Sequence, residues 1–183
     1  TTKNWTEDQP VDRLCEGPHR LLCMQTGPGA PLPPSFQGGA MAFVTSPGGD
    51  GALSQWLEAG GEEGLAAADS VCRLRANAAG LPAADSFVAF LSDLSGEDGV
   101  DAIDRLTLDG PWIRTDGIRI AQSKADLVDG TLDAPLNVDE FGTFYSNWPA
   151  WTGTTTDGLA TGADCVGWNV GNDGAQGTLG ESR

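Results

Sequence analysis

The chain is poor in positive charge. Lys and Arg number 10 against 26 Asp and Glu, and the formal net charge over 183 residues is −16. Such a surface repels phosphate backbones and anionic lipid headgroups, so neither nucleic acid nor a membrane surface is an expected partner. Histidine is nearly absent. His19 stands alone, so a Ser or Cys nucleophile has one candidate base and no second one. The four cysteines include no Cys-x-x-Cys pair, the spacing that zinc sites favour. No stretch approaches the ~20 apolar residues of a membrane span. The apolar-leaning runs near 65–68 and 87–91 are core-sized. The Gly-rich stretch after Trp168 has no Lys and no following helix pattern, so it is no phosphate loop. The sequence opens at Thr1 rather than Met and shows no basic n-region or apolar h-region, so the expected N-terminus is a processed one or a cut from something longer.

What the chain has in quantity is glycine and proline, 26 and 11 residues. With 39% hydrophobic and 7% aromatic residues, that composition predicts one domain of short strands and loops, with room for an arm, rather than a helix bundle. Cys15, Cys23, Cys72 and Cys165 read as two disulfides in an oxidising compartment, so an extracellular or cell-surface location is expected. Four cysteines allow three connectivities, among them a local Cys15–Cys23 pair.

Three segments follow from the patterning. Residues 1–25 form a strand-bearing arm, with short strands expected at 3–6 and 19–24. Residues 26–41 form a Pro/Gly-rich linker, stiffened by Pro28, Pro31, Pro33 and Pro34. Residues 42–183 form the main domain. A strand is predicted over 41–46. The helical spacing of Leu65, Ala68, Cys72, Ala76 and Ala79 predicts a helix over 65–79, stopped by Gly80 and Pro82. Residues 86–92 are apolar on both faces and read as a central strand. Residues 111–121 read as a hairpin turning at Asp116-Gly117. Single helical turns are predicted at 101–106 and 123–128. Short strands are predicted at 150–153 and 165–169, and 171–180 reads as a loop.

Residues 43–183 resemble a bacterial family of uncharacterised extracellular domains with a C-type-lectin-like, endostatin-related fold. The resemblance rests on 43–46, 64–72, 79–82, 87–93, Arg105-Leu106, 110–117, 126–132, 151–154 and 164–168, taken in order and spacing. In that family the domain ends with a Trp-bearing strand, a loop cysteine and a last strand carrying the final cysteine. Those elements stand here at the other end, at 3–6, Cys15 and 19–23. The resemblance therefore implies an α+β, C-type-lectin-like fold permuted along the chain. Its strands are short, mixed or antiparallel, with one main helix and long loops. It also selects one disulfide connectivity, Cys23 with Cys72 and Cys15 with Cys165.

The functional candidates follow. No catalytic residue is expected, and His19 is assigned a structural role. Asp126, Asp129, Asp133 and Asp157 offer loop oxygens of the kind calcium accepts, though not at EF-hand spacing. No cofactor is required by anything in the sequence. Neither the 147–149 triplet nor the acids after Trp5 match the sugar-binding motifs of calcium-dependent lectins. Trp112, Trp151, Trp168 and Trp5 fall on predicted strands and are expected to fill the core. Trp5, Leu21 and Leu22 of the arm, Phe36 of the linker, and the loop residues Trp56 and Trp148 are the interface candidates. Two functions fit. One is an extracellular structural protein that assembles head-to-tail into a filament or surface fibre, by strand complementation and inter-subunit disulfides. The other is a monomeric lectin-like module binding a sugar or protein ligand at the cell surface.

Overall fold

The computed structural model describes residues 13–15, 18–27, 38–46, 48–96, 99–146 and 148–181. The strand expected at 3–6, with Trp5, lies outside these residues, as does Phe36.

Among the described residues the architecture is α+β, a curled mixed sheet with one long helix. The strands are β1 (Arg13–Leu14), β2 (Arg20–Gln25), β3 (Ala40–Val44), β4 (Phe87–Ala89), β5 (Trp112–Arg114), β6 (Arg119–Ala121), β7 (Pro149–Trp151), β8 (Gln176–Gly177) and β9 (Leu179–Glu181). The helices are α1 (Gly64–Ala78) and the single turns α2 (Lys124–Leu127) and α3 (Cys165–Trp168). The main sheet runs β6-β5-β3-β2-β7-β9, with β4 also paired to β2, and β1-β8 form a separate two-stranded ribbon.

Strand β2 is the keystone, because three strands pair with it. Leu22–Met24 pairs antiparallel with β3, Cys23–Gln25 antiparallel with β4, and Arg20-Leu21 parallel with β7. All six of its residues are buried. Alternate side chains of a strand point to opposite faces, so β2 feeds two cores. Leu21 and Cys23 join Phe43, Phe87, Trp151 and Trp168 under α1. Leu22 and Met24 join Val44, Phe90, Trp112 and Leu127 on the other face. Leu21 and Leu22, named above as interface candidates, are buried in the sheet, at 0% and 2% exposure. An RLLCMQ run with no solvent face can only be a central strand.

Helix α1 forms where the spacing predicted, one residue earlier at each end. It buries Ala67, Ala68, Val71, Cys72 and Ala76 against the first core. Gly80, at φ +68°, ends it in the left-handed conformation that glycine tolerates. Asp69 on the same helix reaches the sheet. Its carboxylate accepts the Ala89 backbone N–H at 2.9 Å and both Oδ atoms accept Arg105 Nη2, at 2.7 and 2.8 Å.

The β5–β6 hairpin closes through Asp116. Its carboxylate accepts Arg114 Nε at 3.0 Å and Nη2 at 2.5 Å, and the Ile118 N–H at 3.3 Å. Burial opposes the charged carboxylate, but the hydrogen bonds from Arg114 and Ile118 outweigh it, and the Asp116 pKa lies below its ordinary value.

Three expectations need correction. Residues 165–169 are not a strand. Cys165, Val166, Gly167 and Trp168 all take positive φ, 52°, 56°, 63° and 63°, and form a left-handed turn. Asp164 caps it by accepting the Gly167 N–H at 3.2 Å, and Trp168 is pinned by its indole N–H to the Ser92 carbonyl at 2.8 Å. A short apolar run carries no period strong enough to separate these outcomes. The stretch 171–180 is not all loop. It contains β8 and enters β9, because Arg13-Leu14 and Pro149–Trp151 supply ladder partners. The linker is shorter than 26–41, since Ala40 and Met41 belong to β3.

Candidate functional site

The seat of the N-terminal segment is where the chemistry of this fold concentrates. Both disulfides start there. Cys15 joins Cys165, with Cα atoms 5.8 Å apart, and Cys23 joins Cys72, at 5.2 Å. All four cysteines are used, in the connectivity the resemblance implied, and the local Cys15–Cys23 pair is not formed. Gly51 makes the first bridge possible. A Cβ there would stand 2.3 Å from Cys165 Sγ and 3.1 Å from Cys15 Cβ. The main chain is held along its length as well. Cys15 N–H donates to Ala175 O and Gly51 N–H to Cys15 O, both at 3.0 Å. His19 and Gly49 exchange backbone hydrogen bonds at 2.6 and 2.8 Å. Gln25 accepts the Met41 N–H on Oε1 at 3.0 Å and donates from Nε2 to Pro82 O at 3.3 Å.

At the start of β2 the seat carries buried charge. Arg20 donates from Nη1 to the Thr45 and Ser46 carbonyls. Its guanidinium lies 4.0 Å from the Tyr145 ring centroid and 4.4 Å from that of Trp148, so two aromatic faces replace much of its water. Glu140, 3% exposed, accepts the Ser46 N–H at 3.0 Å and its hydroxyl at 2.6 Å. Arg75 Nη1 stands 4.0 Å from Glu140, and its Nη2 donates to Glu58 at 2.9 Å. Desolvation by burial lowers the Arg75 pKa, with Glu58 and Glu140 pulling the other way. The loop above is tied together by Asp139, which accepts the N–H groups of Phe141 and Thr143 and the Tyr145 hydroxyl. That loop presents Phe141 and Phe144 to solvent.

Two open grooves flank the seat. One, about 400 Å³, runs past Gly48, Asp50, Trp56, Glu58 and Arg75. The other, about 550 Å³, lies beside Asp164, Val166, Asp173 and Gln176. His19 packs its ring edge-on against Trp151, the ring centroids 4.4 Å apart.

The other candidates scatter. Trp56 is half-buried, its indole N–H donating to Asp50 O at 3.1 Å. Trp148 is 44% exposed and stacks on Arg20. The four proposed calcium ligands do not converge. Asp126 accepts the Gln122 N–H, Asp129 holds Thr131 in its own turn, Asp133 pairs with Arg119 at 2.7 Å, and Asp157 is exposed on a separate turn. Among the described residues no three His, Cys, Asp or Glu side chains are grouped to hold a metal ion, and each of the first three carboxylates is already engaged by a neighbouring group. Sequence reasoning missed Arg20, Arg75, Glu140 and Tyr145. Nothing local marks them, since they meet only when β2, α1 and the 138–145 loop come together.

Comparison with protein-family models, with curated proteins and with solved structures finds no match.

Proposed function

We propose that this protein is an extracellular structural subunit that assembles head-to-tail, the segment carrying β1 and β2 leaving one copy to complete the sheet of the next. One observation carries the reading. The N-terminal segment supplies the central strand and one half of each disulfide, yet a 14-residue Pro/Gly-rich stretch, 26–39, joins it to its antiparallel neighbour β3. Two to five residues close an ordinary hairpin. Without β2 the sheet parts into β6-β5-β3, β7-β9 and β4, whose ladder partner is β2. A body so divided presents a strand-shaped gap, and strand addition from another chain fills such a gap with the same backbone bonds. The donor segment and the acceptor gap differ, so the contact is heterologous and runs on as a filament or closes as a ring. Both disulfides then join subunits covalently.

The fold assigned in this reading is C-type-lectin-like and permuted. The link from α1 to the central strand through Cys72 and Cys23 supports it. Two disulfides suit an oxidising exterior, and no described helix is long and apolar enough to cross a membrane.

The test is denaturing electrophoresis without reductant. Exchange gives a ladder that collapses to one band on reduction. Deleting residues 1–25 abolishes the ladder. A single monomer band from intact, unreduced protein overturns the proposal and favours the free lectin-like module, whose sugar or protein ligand would then be sought at the grooves.

A further inference from the structure

Strand β2 carries Leu21, Leu22, Cys23 and Met24 between two polar residues, Arg20 and Gln25. All six are buried, and both faces of the strand meet apolar cores. A run of that kind fixes register weakly, because a slip exchanges Leu, Cys and Met among seats that all accept an apolar side chain. The two polar ends are different. Arg20, 4% exposed, donates to the Thr45 and Ser46 carbonyls and lies against the rings of Tyr145 and Trp148. Gln25, fully buried, accepts the Met41 N–H at 3.0 Å and donates to Pro82 O at 3.3 Å. None of these partners belongs to β2. They stand on β3 and the residues after it, on the loop before β7 and on the turn after α1.

We infer that Arg20 and Gln25 are the specificity-determining residues of strand entry: they set the register in which β2 seats, and so select which segment a body accepts. The selection rests on the exchange reading, in which the segment comes from a second copy of this chain.

Two-residue slips show the reason, since alternate residues share a face. A slip one way carries Arg20 into the seat of Leu22, in the core of Val44, Phe90 and Trp112. The guanidinium then loses both carbonyls, and a buried charge without its partners is strongly unfavourable. A slip the other way carries Gln25 into the seat of Cys23, in the core of Phe43 and Phe87, and puts Leu22 where Arg20 met the Thr45 and Ser46 carbonyls. Its amide is parted from the Met41 N–H and Pro82 O, and those groups lose their partner in turn. Either slip moves Cys23 about 7 Å along the strand, away from the 5.2 Å Cα separation at which it bonds Cys72. The Cys23–Cys72 bond therefore reports the register.

The experiment uses full-length chains. Isotope-labelled parent protein is reduced, unfolded and refolded in a glutathione redox couple with an equal amount of unlabelled Arg20→Met/Gln25→Met protein. Mass spectrometry of the digested, unreduced product reads which Cys23 peptide is bonded to each labelled Cys72 peptide. The count is taken on labelled bodies, so the variant's own body need not fold. Unlabelled parent protein is the reference, and Leu22→Met, a volume-conserving apolar swap, is the control. Labelled Cys72 is expected to take the control segment as often as the reference, and the double-variant segment about tenfold less often. In the double variant refolded alone, folded protein in which Cys23 is not bonded to Cys72 is expected to rise about tenfold over the parent. A role in stability alone would leave the native pairing in every folded copy. Equal capture of double-variant and reference segments overturns the selection, and uniform native pairing in the folded variant overturns the setting of register. Absence of any bond between labelled and unlabelled parent chains overturns the exchange reading and the selection with it, while the pairing in the variant alone still decides the register.

Discussion

Cys23, in the middle of the central strand, is bonded to Cys72 in the third turn of helix α1, so strand and helix cannot separate without breaking a covalent bond. Cys23 also pairs with Phe43 on β3 and Ala89 on β4. One residue therefore ties helix, sheet and first core together.

Replacing Cys23 and Cys72 together by Ala is expected to cost about 2–5 kcal/mol, the usual loss on removing a native disulfide. Urea unfolding of the variant against the parent protein, both without reductant, measures it. A loss under 1 kcal/mol would show that the packing around the pair, rather than the bond, holds helix and strand.

Asp69→Ala is expected to cost about 3 kcal/mol, more than a typical core truncation of so small a side chain. Its carboxylate satisfies the Ala89 N–H and a largely buried Arg105 guanidinium. Removing it takes that acceptor from the Ala89 N–H and leaves the Arg105 charge without its carboxylate, although Arg105 Nη1 still donates to the Ala89 carbonyl. The nearby Arg73, 3.6 Å away and 42% exposed, contributes little. Pairing Asp69→Ala with Arg105→Met should recover part of the loss, because the stranded charge goes too.

Asp116 gives a pH prediction. Its folded pKa lies below the ordinary 3.8, so its contribution to stability is complete above that value. It is lost as pH falls through the lowered folded value. Asp116→Asn should leave a stability profile that falls less steeply below about pH 4 than the parent's. Thermal melting across pH 2 to 6 reads this out, and parallel acid limbs would contradict it.

Val166 is a β-branched residue at φ 56°, 60% exposed. Its side chain gains little from burial, while its backbone pays about 1–2 kcal/mol for the left-handed conformation. Val166→Asn should therefore raise stability by about 1 kcal/mol, since Asn tolerates that region. A neutral or lower melting temperature would mean that the Val166 side chain makes a contact worth the strain.

Much of the local structure was legible in the chain. The spacing of Ala68, Cys72 and Ala76 marks α1, and Gly80 marks its end. The unbroken apolar runs at β2, β3 and β4 mark strands without a solvent face, and Asp116-Gly117 marks the β5–β6 turn. These features depend on neighbours within a few residues, where side-chain period and backbone preference act directly. The left-handed turn at 165–168 and the short strands β8 and β9 were not legible. The first is imposed by the Asp164 cap, the Trp168 bond to Ser92 and the Cys15 bridge. The strands exist only because distant partners complete their ladders.

The sequence by itself determined an acidic, disulfide-bonded α+β domain with a detachable-looking N-terminal arm, because composition and short-range period are sums over local residues. Tertiary structure alone decided that the arm is the centre of the sheet, since a strand with two buried faces does not say which strands will flank it. It alone gathered Arg20, Arg75 and Glu140, and it alone dispersed the four aspartates proposed for calcium. A guanidinium or a carboxylate takes its role from what surrounds it once water is excluded, and those surroundings come from segments scores of residues away.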